Sequence, residues 1–254
     1  LIQHDSSTTA SGEGVRLIEV DSNNVTLKNF RVDGDYQNAG TINNATDGHN
    51  IAVFGNDFHI EGVRSYYSTG DGIEPFIGAK NGTIVGCHFK ENWEQNIHFN
   101  SCENWTVSTC VMEGEINNGM VSTFTADGEV TRDCVFANNI IKNGSQTGLQ
   151  LESGAGALDG FTSKGNIYRG MADSAIVVKH TAGQDAQPSN ITIDDQILGG
   201  SSDAVEITAG ENIVVEGMIE GVDGKAIAIN VTDDFPDSDI NDVEIRPTIK
   251  DCGV

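Results

Sequence analysis

This sequence has few positive charges and no long apolar segment. Lys and Arg number 14 against 38 Asp and Glu, which gives a formal net charge of −24 and a pI near 4.3. Such a charge repels nucleic acid and anionic membranes. No apolar run approaches the roughly 18–20 residues that a membrane span needs. We therefore expect no nucleic-acid partner and no membrane insertion.

Signature motifs of several enzyme classes are also missing. There is no P-loop, HExxH, GxSxG or Rossmann fingerprint in the right context, so nucleotide chemistry is not indicated. The five cysteines form no CxxC or Cys/His spacing of a zinc site. From the sequence we assign no metal ligands.

A leader segment is absent from the printed chain, which begins at Leu1. We expect residues 1–254 to form a single domain that is part of a longer or processed chain. The scarcity of Lys and the excess of Asp are typical of proteins from halophiles, since in molar salt the Debye length falls to roughly 3 Å and screens the repulsion. The alternative is an acidic secreted protein that binds calcium.

Two short strand-like phrases alternate along the chain. The first series comprises NVTLKNFRV (from 24), NDFHIEGVRS (56), NGTIVGCHF (81), NWTVSTCVM (104), NITIDDQIL (190) and NIVVEGMIEG (212), with weaker copies between them. The second series comprises NIAVFG (50–55), GIEPFIG (72–78), NIHFNS (96–101), GMVSTF (119–124), GLQLES (148–153), AIVVKH (175–180), AVEITA (204–209) and AIAINV (226–231). Units of this length with period-2 strands and Gly/Asn/Asp turns predict a β-solenoid.

The two phrases resemble those of the right-handed parallel β-helix family, the pectate-lyase-like solenoids, over about residues 15–250. The resemblance implies an all-β, single-stranded parallel β-helix, and the repeats predict about nine coils. It is specific for fold and not for function, because these solenoids carry many activities.

In the first series, we expect Val25, Leu27 and Phe30 to point inward. Asn tolerates the left-handed backbone conformation, so the four recurring turn asparagines predict a turn ladder: Asn24, Asn81, Asn104 and Asn190. They also form glycosylation sequons, as do Asn44, Asn143 and Asn230 outside the repeat. Cys87 and Cys110 fall in the Phe30 position with Cys134 near it. We expect buried thiols there, with a disulfide between neighbouring coils as the alternative.

In the second series, strand alternation predicts an inward column of Ile73, Ile97, Met120, Leu149, Ile176, Val205 and Ile227. One outward column then contains Ala52, Glu74, His98, Val121, Gln150, Val177, Glu206 and Ala228. The other contains Phe54, Phe76, Asn100, Thr123, Glu152, Lys179, Thr208 and Asn230. Polar groups beside an aromatic ring suit a sugar chain, which needs hydrogen bonds to its hydroxyls and a ring against its C–H face.

The catalytic candidates on this face are Glu74, His98, Glu152 and Lys179. The ligand-binding candidates are Phe76, Asn100, Gln150, Tyr66 and Tyr67. Glu74 and Glu152 are three coils or about 14 Å apart, whereas a glycosidase pair needs roughly 5–9.5 Å. Asp71 or Asp127 would shorten that gap. Lyases of the family use Arg or Lys as base, and here only Lys179 would serve.

Two irregular segments are further candidates. The loop insertion at 33–50 offers Tyr36, Asp47 and His49 near the Glu74 end of the face. The acidic stretch 232–242 is rich in oxygen ligands and would suit calcium, although EF-hand spacing is missing and a solvated loop is the alternative. No other cofactor is indicated.

These features favour a recognition module at an extracellular or virion surface, similar to a tail spike or adhesin, that binds host-surface carbohydrate. The resemblance implies a homo-oligomer for that class, often a trimer. The alternative is a secreted polysaccharide lyase or glycoside hydrolase that uses the outward face. A purely architectural solenoid within a larger assembly is a third interpretation.

Overall fold

The computed structural model describes residues 2–3, 16–34, 48–115, 120–181, 186–230 and 240–253. Within these ranges the chain is all-β, and no helix there is long and apolar enough to cross a membrane. The strands in chain order are β1 (Ile2–Gln3), β2 (Ile18–Val20), β3 (Thr26–Lys28), β4 (Arg31–Asp33), β5 (Ile51–Val53), β6 (Phe58–Glu61), β7 (Arg64–Tyr66), β8 (Ile73–Pro75), β9 (Gly82–Val85), β10 (His88–Asn92), β11 (Ile97–Asn100), β12 (Thr106–Ser108), β13 (Val111–Glu115), β14 (Val121–Phe124), β15 (Val130–Ala137), β16 (Ile140–Lys142), β17 (Leu149–Ser153), β18 (Ala157–Met171), β19 (Ile176–His180), β20 (Ser189–Gly200), β21 (Val205–Ile207), β22 (Gly210–Val222), β23 (Ile227–Ile229), β24 (Ile240–Ile245) and β25 (Thr248–Lys250).

Each strand pairs in parallel with its equivalents in the neighbouring coils, which confirms the predicted parallel β-solenoid. The second series forms a nine-stranded sheet in the order β2-β5-β8-β11-β14-β17-β19-β21-β23, called wall 2 here. The first series forms two walls of a sixteen-stranded sheet. Wall 1 contains β3, β6, β9, β12 and β15, and wall 3 contains β1, β4, β7, β10, β13 and β16.

A bend in the middle of each first-series phrase separates walls 1 and 3. The residue at this bend has positive φ in successive coils, as at Asn29 (56°), Gly86 (60°) and Thr109 (54°). Further along the chain, the bend no longer interrupts the strand. The long strands β18, β20 and β22 therefore run across both walls and join them.

The predicted asparagine ladder is confirmed at the turn before wall 1. Asn24, Asn81, Asn104 and Asn190 have φ between 55° and 59°. Along the column, Asn104 Nδ2 donates to Asn81 Oδ1 at 3.2 Å. The asparagine side chains thus hydrogen-bond to one another at positions whose left-handed backbone conformation favours Asn, Asp or Gly.

The core fills the space between the walls with Ile, Val, Leu and aromatic side chains. Cys87 and Cys110 are buried free thiols in neighbouring coils, and the Cys87 backbone N–H donates to Cys110 Sγ at 3.4 Å. Cys134 was wrongly placed near that column. Because Val135 pairs with Thr106, Cys134 lies at the start of wall 1 and is paired with Phe161. Asn139 lies next to Cys110 instead and accepts its N–H.

The predicted register of wall 2 was wrong at β14. Ile97 pairs with Val121 and not with Met120, so Val121 points inward and is fully buried. Ser122 and Phe124 therefore take the outward positions assigned to Val121 and Thr123. Thr123 is buried instead, because its hydroxyl accepts the Glu152 N–H at 2.8 Å and donates to the Glu152 carbonyl at 3.0 Å.

Candidate functional site

Four ionisable side chains converge near the beginning of strands β5, β8 and β11 of wall 2. His49 and Asp71 lie in the turns two residues before β5 and β8, and Glu74 and His98 are outward residues of β8 and β11. Stacking of successive coils brings these residues together although 49 positions separate the first from the last. We call this group the acid–base cluster.

The two carboxylates of the cluster are bridged by both imidazoles. His49 Nδ1 lies 3.3 Å from Asp71 Oδ2, and His49 Nε2 lies 2.7 Å from Glu74 Oε2, the latter as a close ion pair without hydrogen-bond alignment. His98 Nδ1 lies 3.2 Å from Asp71 Oδ2 and 3.4 Å from Glu74 Oε1. All except His98 are nearly inaccessible to solvent.

Neutral donors complete the surroundings of the two carboxylates. The Gln95 backbone N–H donates to Asp71 Oδ1 at 3.0 Å, and Asn100 Nδ2 donates to Glu74 Oε1 at 3.0 Å. The sequence therefore identified Glu74, His98 and Asn100 correctly as neighbours on one face. Whether they act on a ligand stays a prediction.

The environment pushes the pKa values within the cluster apart. Burial disfavours the charged forms of both His49 and Asp71, but it is outweighed by the contacts of His49 with Asp71 and Glu74 and by the contacts of Asp71 with His49 and His98. The pKa of His49 rises to about 10, and that of Asp71 falls to about 2. Burial also opposes charge on His98, yet its contacts with Asp71 raise its pKa.

Glu94 lies in the turn before β11, which stacks on the turn of Asp71, since the Glu94 N–H bonds to the Gly70 carbonyl at 3.2 Å. It is half-buried, and burial together with the negative charge of Asp71 raises its pKa to about 7. A carboxyl group that stays partly protonated at neutral pH next to ionised carboxylates is the arrangement that acid–base catalysis uses.

The nitrogen and oxygen atoms of His49, Asp71 and Glu74 all lie within 4.8 Å of one another, a spacing that would also suit a cation. Without a cation, the two neighbouring carboxylates raise the pKa of His49 and favour its imidazolium form, which makes the cluster an ion-pair network. A bound cation would instead require the neutral ring, and the Asp71 backbone N–H already donates to His49 Nδ1 at 3.3 Å.

Aromatic side chains flank the cluster on the same face. Phe54 stacks on Phe76 with ring centroids 4.5 Å apart, and Arg16 lies 4.8 Å from the centre of the Phe76 ring. Because these partners already cover Phe76, Phe124 is the more available ring. It is 39 % exposed and pairs with Asn100 in the neighbouring coil.

Glu152, Gln150 and Lys179 form a separate polar group three strands from Glu74. Gln150 Nε2 donates to Glu152 Oε2 at 2.6 Å, and Lys179 Nζ lies 3.4 Å from the same oxygen. The strand order β8-β11-β14-β17 puts Glu74 and Glu152 about 14 Å apart. The structure thus does not bring these two carboxylates together.

The remaining candidates lie elsewhere. Tyr66 belongs to β7 in wall 3, with Tyr67 directly after it, so neither shares the face of Glu74. Asp127 is exposed in the turn after β14. Tyr36, Asp47 and nearly all of the acidic stretch 232–242 lie outside the described residues, as does most of the loop 33–50.

Glu94 was missed by the sequence analysis, and His49 and Asp71 were underrated, for one reason. All three lie in the turns before wall 2, whereas the period-2 pattern indicates direction only for residues within strands. Gly72 N–H bonds to the Gln95 carbonyl and Glu94 N–H to the Gly70 carbonyl, so these turns stack in register too. Aligning the turns His49-Asn50, Asp71-Gly72 and Gln95-Asn96 would have shown the column.

Three solved structures are similar to this chain. A surface adhesin of Streptococcus pneumoniae, PfbA, has a TM-score of 0.48 and 13% identity over 99% of this chain and 74% of its own. A family 28 exopolygalacturonase of Yersinia enterocolitica has a TM-score of 0.42 and 11% identity over 80% and 46%. The tailspike protein of E. coli bacteriophage HK620 has a TM-score of 0.37 and 12% identity over 92% and 56%.

This chain thus spans about half the length of the last two proteins, and such low identities say nothing about its activity. No curated protein sequence matched. The family model for a right-handed beta helix region matches residues 13–194, more than half of the chain. With the parallel walls and stacked turns described above, this match shows that the chain belongs to the right-handed β-helix family.

Proposed function

We propose that the outward face of wall 2 binds a carbohydrate chain and that the acid–base cluster with Glu94 hydrolyses it. The observation that carries this proposal is the convergence of two carboxylates and two imidazoles on wall 2, with Glu94 in the turn stacked beside that of Asp71. Buried charges are costly to hold, and such groupings are found preferentially at functional sites.

The roles follow from the surroundings of each carboxyl group. Glu94 keeps its proton near neutral pH and donates it to the leaving sugar oxygen. Glu74, held by Asn100 and the two imidazoles, accepts the proton of the attacking water. Asp71 is fully buried and serves to position His49 and His98, since it contacts both rings.

The neighbouring coils provide the binding surface. Asn100 and Phe124 lie in one column beside the cluster, and Gln150 follows His98 and Ser122 in the neighbouring column. Glu152 lies next to Gln150, which donates to it. These positions offer an exposed ring and hydrogen-bonding groups spaced by the 4.8 Å rise of the coils. Sugar binding needs both, because an aromatic ring contacts the C–H face while polar groups satisfy the hydroxyls.

The test is a screen of neutral and acidic polysaccharides for new reducing ends. We expect Glu94→Gln to lower kcat by about a hundredfold or more, because general acid catalysis contributes roughly 10²–10⁴-fold. Glu206→Gln, on the same wall but several coils away, is the matched control. Unsaturated product ends, or activity lost with Glu152→Gln or Lys179→Ala and kept with Glu94→Gln, would contradict the assignment. The same activity is measured with a chelator present, which tests whether a bound cation is required.

A second candidate is a non-catalytic recognition module at an extracellular or virion surface, as a trimer or larger assembly. It is favoured by the near-complete burial of Asp71 and Glu74, whose oxygens already have partners within the protein. In this case the acid–base cluster would stabilise the conformation of wall 2. Phe124 and its neighbours would bind the host glycan.

Two measurements separate these candidates. A recognition module binds a glycan on an array and releases no new ends, and Phe124→Ala weakens that binding while Glu94→Gln does not. Light scattering in about 2 M salt, which screens the charge, gives the mass in solution. A trimer supports the spike-like interpretation, and a monomer contradicts that part of it.

A further inference from the structure

Wall 3 brings several cations together on a protein whose net charge is −24. From β4 to β18 its outward columns contain five cations, Arg31, Arg64, Lys90, Lys142 and Arg169. Among the described residues, the same columns contain two carboxylates, Asp33 and Glu113. Strands β10 and β13 also contain Glu91 and Glu115, so the charges of this wall nearly balance, whereas the chain as a whole is strongly acidic.

A groove of about 420 Å³ follows the bend between walls 1 and 3 on this face. Arg64 and Lys142 supply charge to its lining, His88 supplies an imidazole whose pKa burial lowers, and Val111 supplies an apolar side. Among the described residues, no carboxylate lies within ion-pair distance of the exposed Arg64 guanidinium. Its five N–H donors are thus available to a ligand.

A hydrogen-bonded chain engages Glu113, the carboxylate that contacts both His88 and Lys142 of the groove. The Tyr66 hydroxyl lies 2.7 Å from His88 Nδ1, and His88 Nε2 lies 3.2 Å from Glu113 Oε1. Lys142 Nζ lies 2.9 Å from the other oxygen, Glu113 Oε2. Both oxygens of Glu113 are engaged, while the Lys142 ammonium keeps two of its three N–H donors.

We propose that this groove is a second ligand site, separate from wall 2, that binds the carboxylate group of an acidic saccharide. Arg64 grips the carboxylate, because a guanidinium fork matches its two oxygens. Lys142 adds a second charge, and the sugar ring lies along Val111. A single acidic group fits better than a long polyanion, since the rest of the protein repels multiple negative charges.

Titration calorimetry at about 0.1 M salt, where the Debye length is roughly 10 Å, tests this site with glucuronate and with glucose as the neutral partner. We expect binding of glucuronate only. Arg64→Gln should weaken it by about tenfold or more, because hydrogen bonds to charged groups contribute roughly 1.5–3 kcal/mol. Glu113→Gln should strengthen it, since it removes the carboxylate that contacts both His88 and Lys142 of the groove.

The matched control is Arg132→Gln on wall 1, whose guanidinium is paired with Glu103 at 2.8 Å. Equal affinity for glucose and glucuronate, or equal weakening by Arg64→Gln and Arg132→Gln, would overturn the proposal. Inorganic sulfate is the competing probe. If sulfate binds and glucuronate does not, the groove is a site for a free oxyanion and the saccharide assignment is wrong.

Discussion

His49 is the residue on which the charge balance of the acid–base cluster depends. Its imidazole lies between two buried carboxylates, 3.3 Å from Asp71 Oδ2 and 2.7 Å from Glu74 Oε2, and is more deeply buried than His98, which contacts the same two groups. A buried pair contributes little net stability compared with an apolar pair, but loss of one partner leaves an uncompensated charge. The residue is therefore more important to folding than its position in an irregular turn suggests.

We expect His49→Gln to lower the free energy of unfolding at neutral pH by about 3–5 kcal/mol, the range for breaking a buried pair. Urea unfolding followed by circular dichroism measures it. The control is His59→Gln on wall 1, which is half-buried and contacts Thr83 and Glu61. Equal losses in the two variants would contradict this account.

The pH dependence of stability has two limbs from the same pair. Asp71 has its pKa lowered from 3.8 to about 2, so its contribution is present above pH 4 and is lost as the pH falls towards 2. His49 has its pKa raised from 6.5 to about 10, so its contribution is present below pH 6.5 and is lost as the pH rises towards 10. Thermal unfolding from pH 2 to 10 measures both, and the alkaline limb should shrink in His49→Gln.

Glu94 affects the pH dependence of stability in the opposite direction to Asp71, because its pKa is raised and not lowered. Its pKa is raised from 4.5 to about 7, so the folded state holds the proton more tightly and loses stability as the pH rises from 4.5 to 7. Glu94→Gln should therefore be more stable than the natural chain at pH 8 and about equal to it at pH 4. Thermal unfolding of both proteins at the two pH values tests this prediction. A variant less stable than the natural chain at pH 8 would show that ionisation of Glu94 does not lower the stability of the folded state.

At the scale of single elements, the turns carry as much information as the strands. The turn before wall 1 repeats Asn or Asp in the left-handed region, with Asn104 at φ 58° bonded to Asn81. A side chain with a Cβ costs about 1–2 kcal/mol in this conformation unless it is Asn or Asp, and Gly escapes that cost.

We expect Asn104→Ala to lower the free energy of unfolding by about 1–2 kcal/mol, because it removes both the tolerance for positive φ and the bond to Asn81. Asn104→Gly should lose less, since only the side-chain bond disappears. Urea unfolding of the two variants gives the comparison. A Gly variant at least as unstable as the Ala variant would mean that the ladder bond and not the backbone conformation dominates.

The sequence was sufficient for the fold and for part of the site. Period-2 strands and repeating Asn turns determine a solenoid, and residues in equivalent strand positions, such as Glu74 and His98, become neighbours by translation alone. Register at β14 could not be predicted, because Met120 and Val121 are both apolar and buried and either satisfies the pattern. Glu94 belongs to an irregular turn, where no side-chain alternation indicates direction.

At the scale of the whole molecule, acidic groups dominate. The 38 Asp and Glu against 14 Lys and Arg give a net charge of −24. Repulsion among the acids acts against the compact state and is screened by salt. This excess of acidic groups is what we expect of a protein from a hypersaline source, which remains a proposal.

Raising KCl from about 0.1 M to about 2 M should raise Tm by several degrees, because the Debye length falls from roughly 10 Å to under 3 Å. Calorimetric or fluorescence-monitored unfolding measures this. Potassium sulfate at equal ionic strength is the comparison. Stabilisation by sulfate alone would indicate exclusion of the salt from the surface and not charge screening.

Equivalence of the Asn81 and Asn104 turns makes the length of this molecule adjustable in whole steps. The 23 residues from Asn81 to Glu103 form one complete circuit, and the bridge between Lys80 and Glu103 brings its two ends within one rung. Excision of this circuit would let Asn104 follow Lys80 in the same turn geometry, and everything after it would descend by about 4.8 Å. Glu94 and His98 would leave with it. A single deletion could thus shorten the solenoid by one coil and remove two of the side chains proposed for acid–base chemistry.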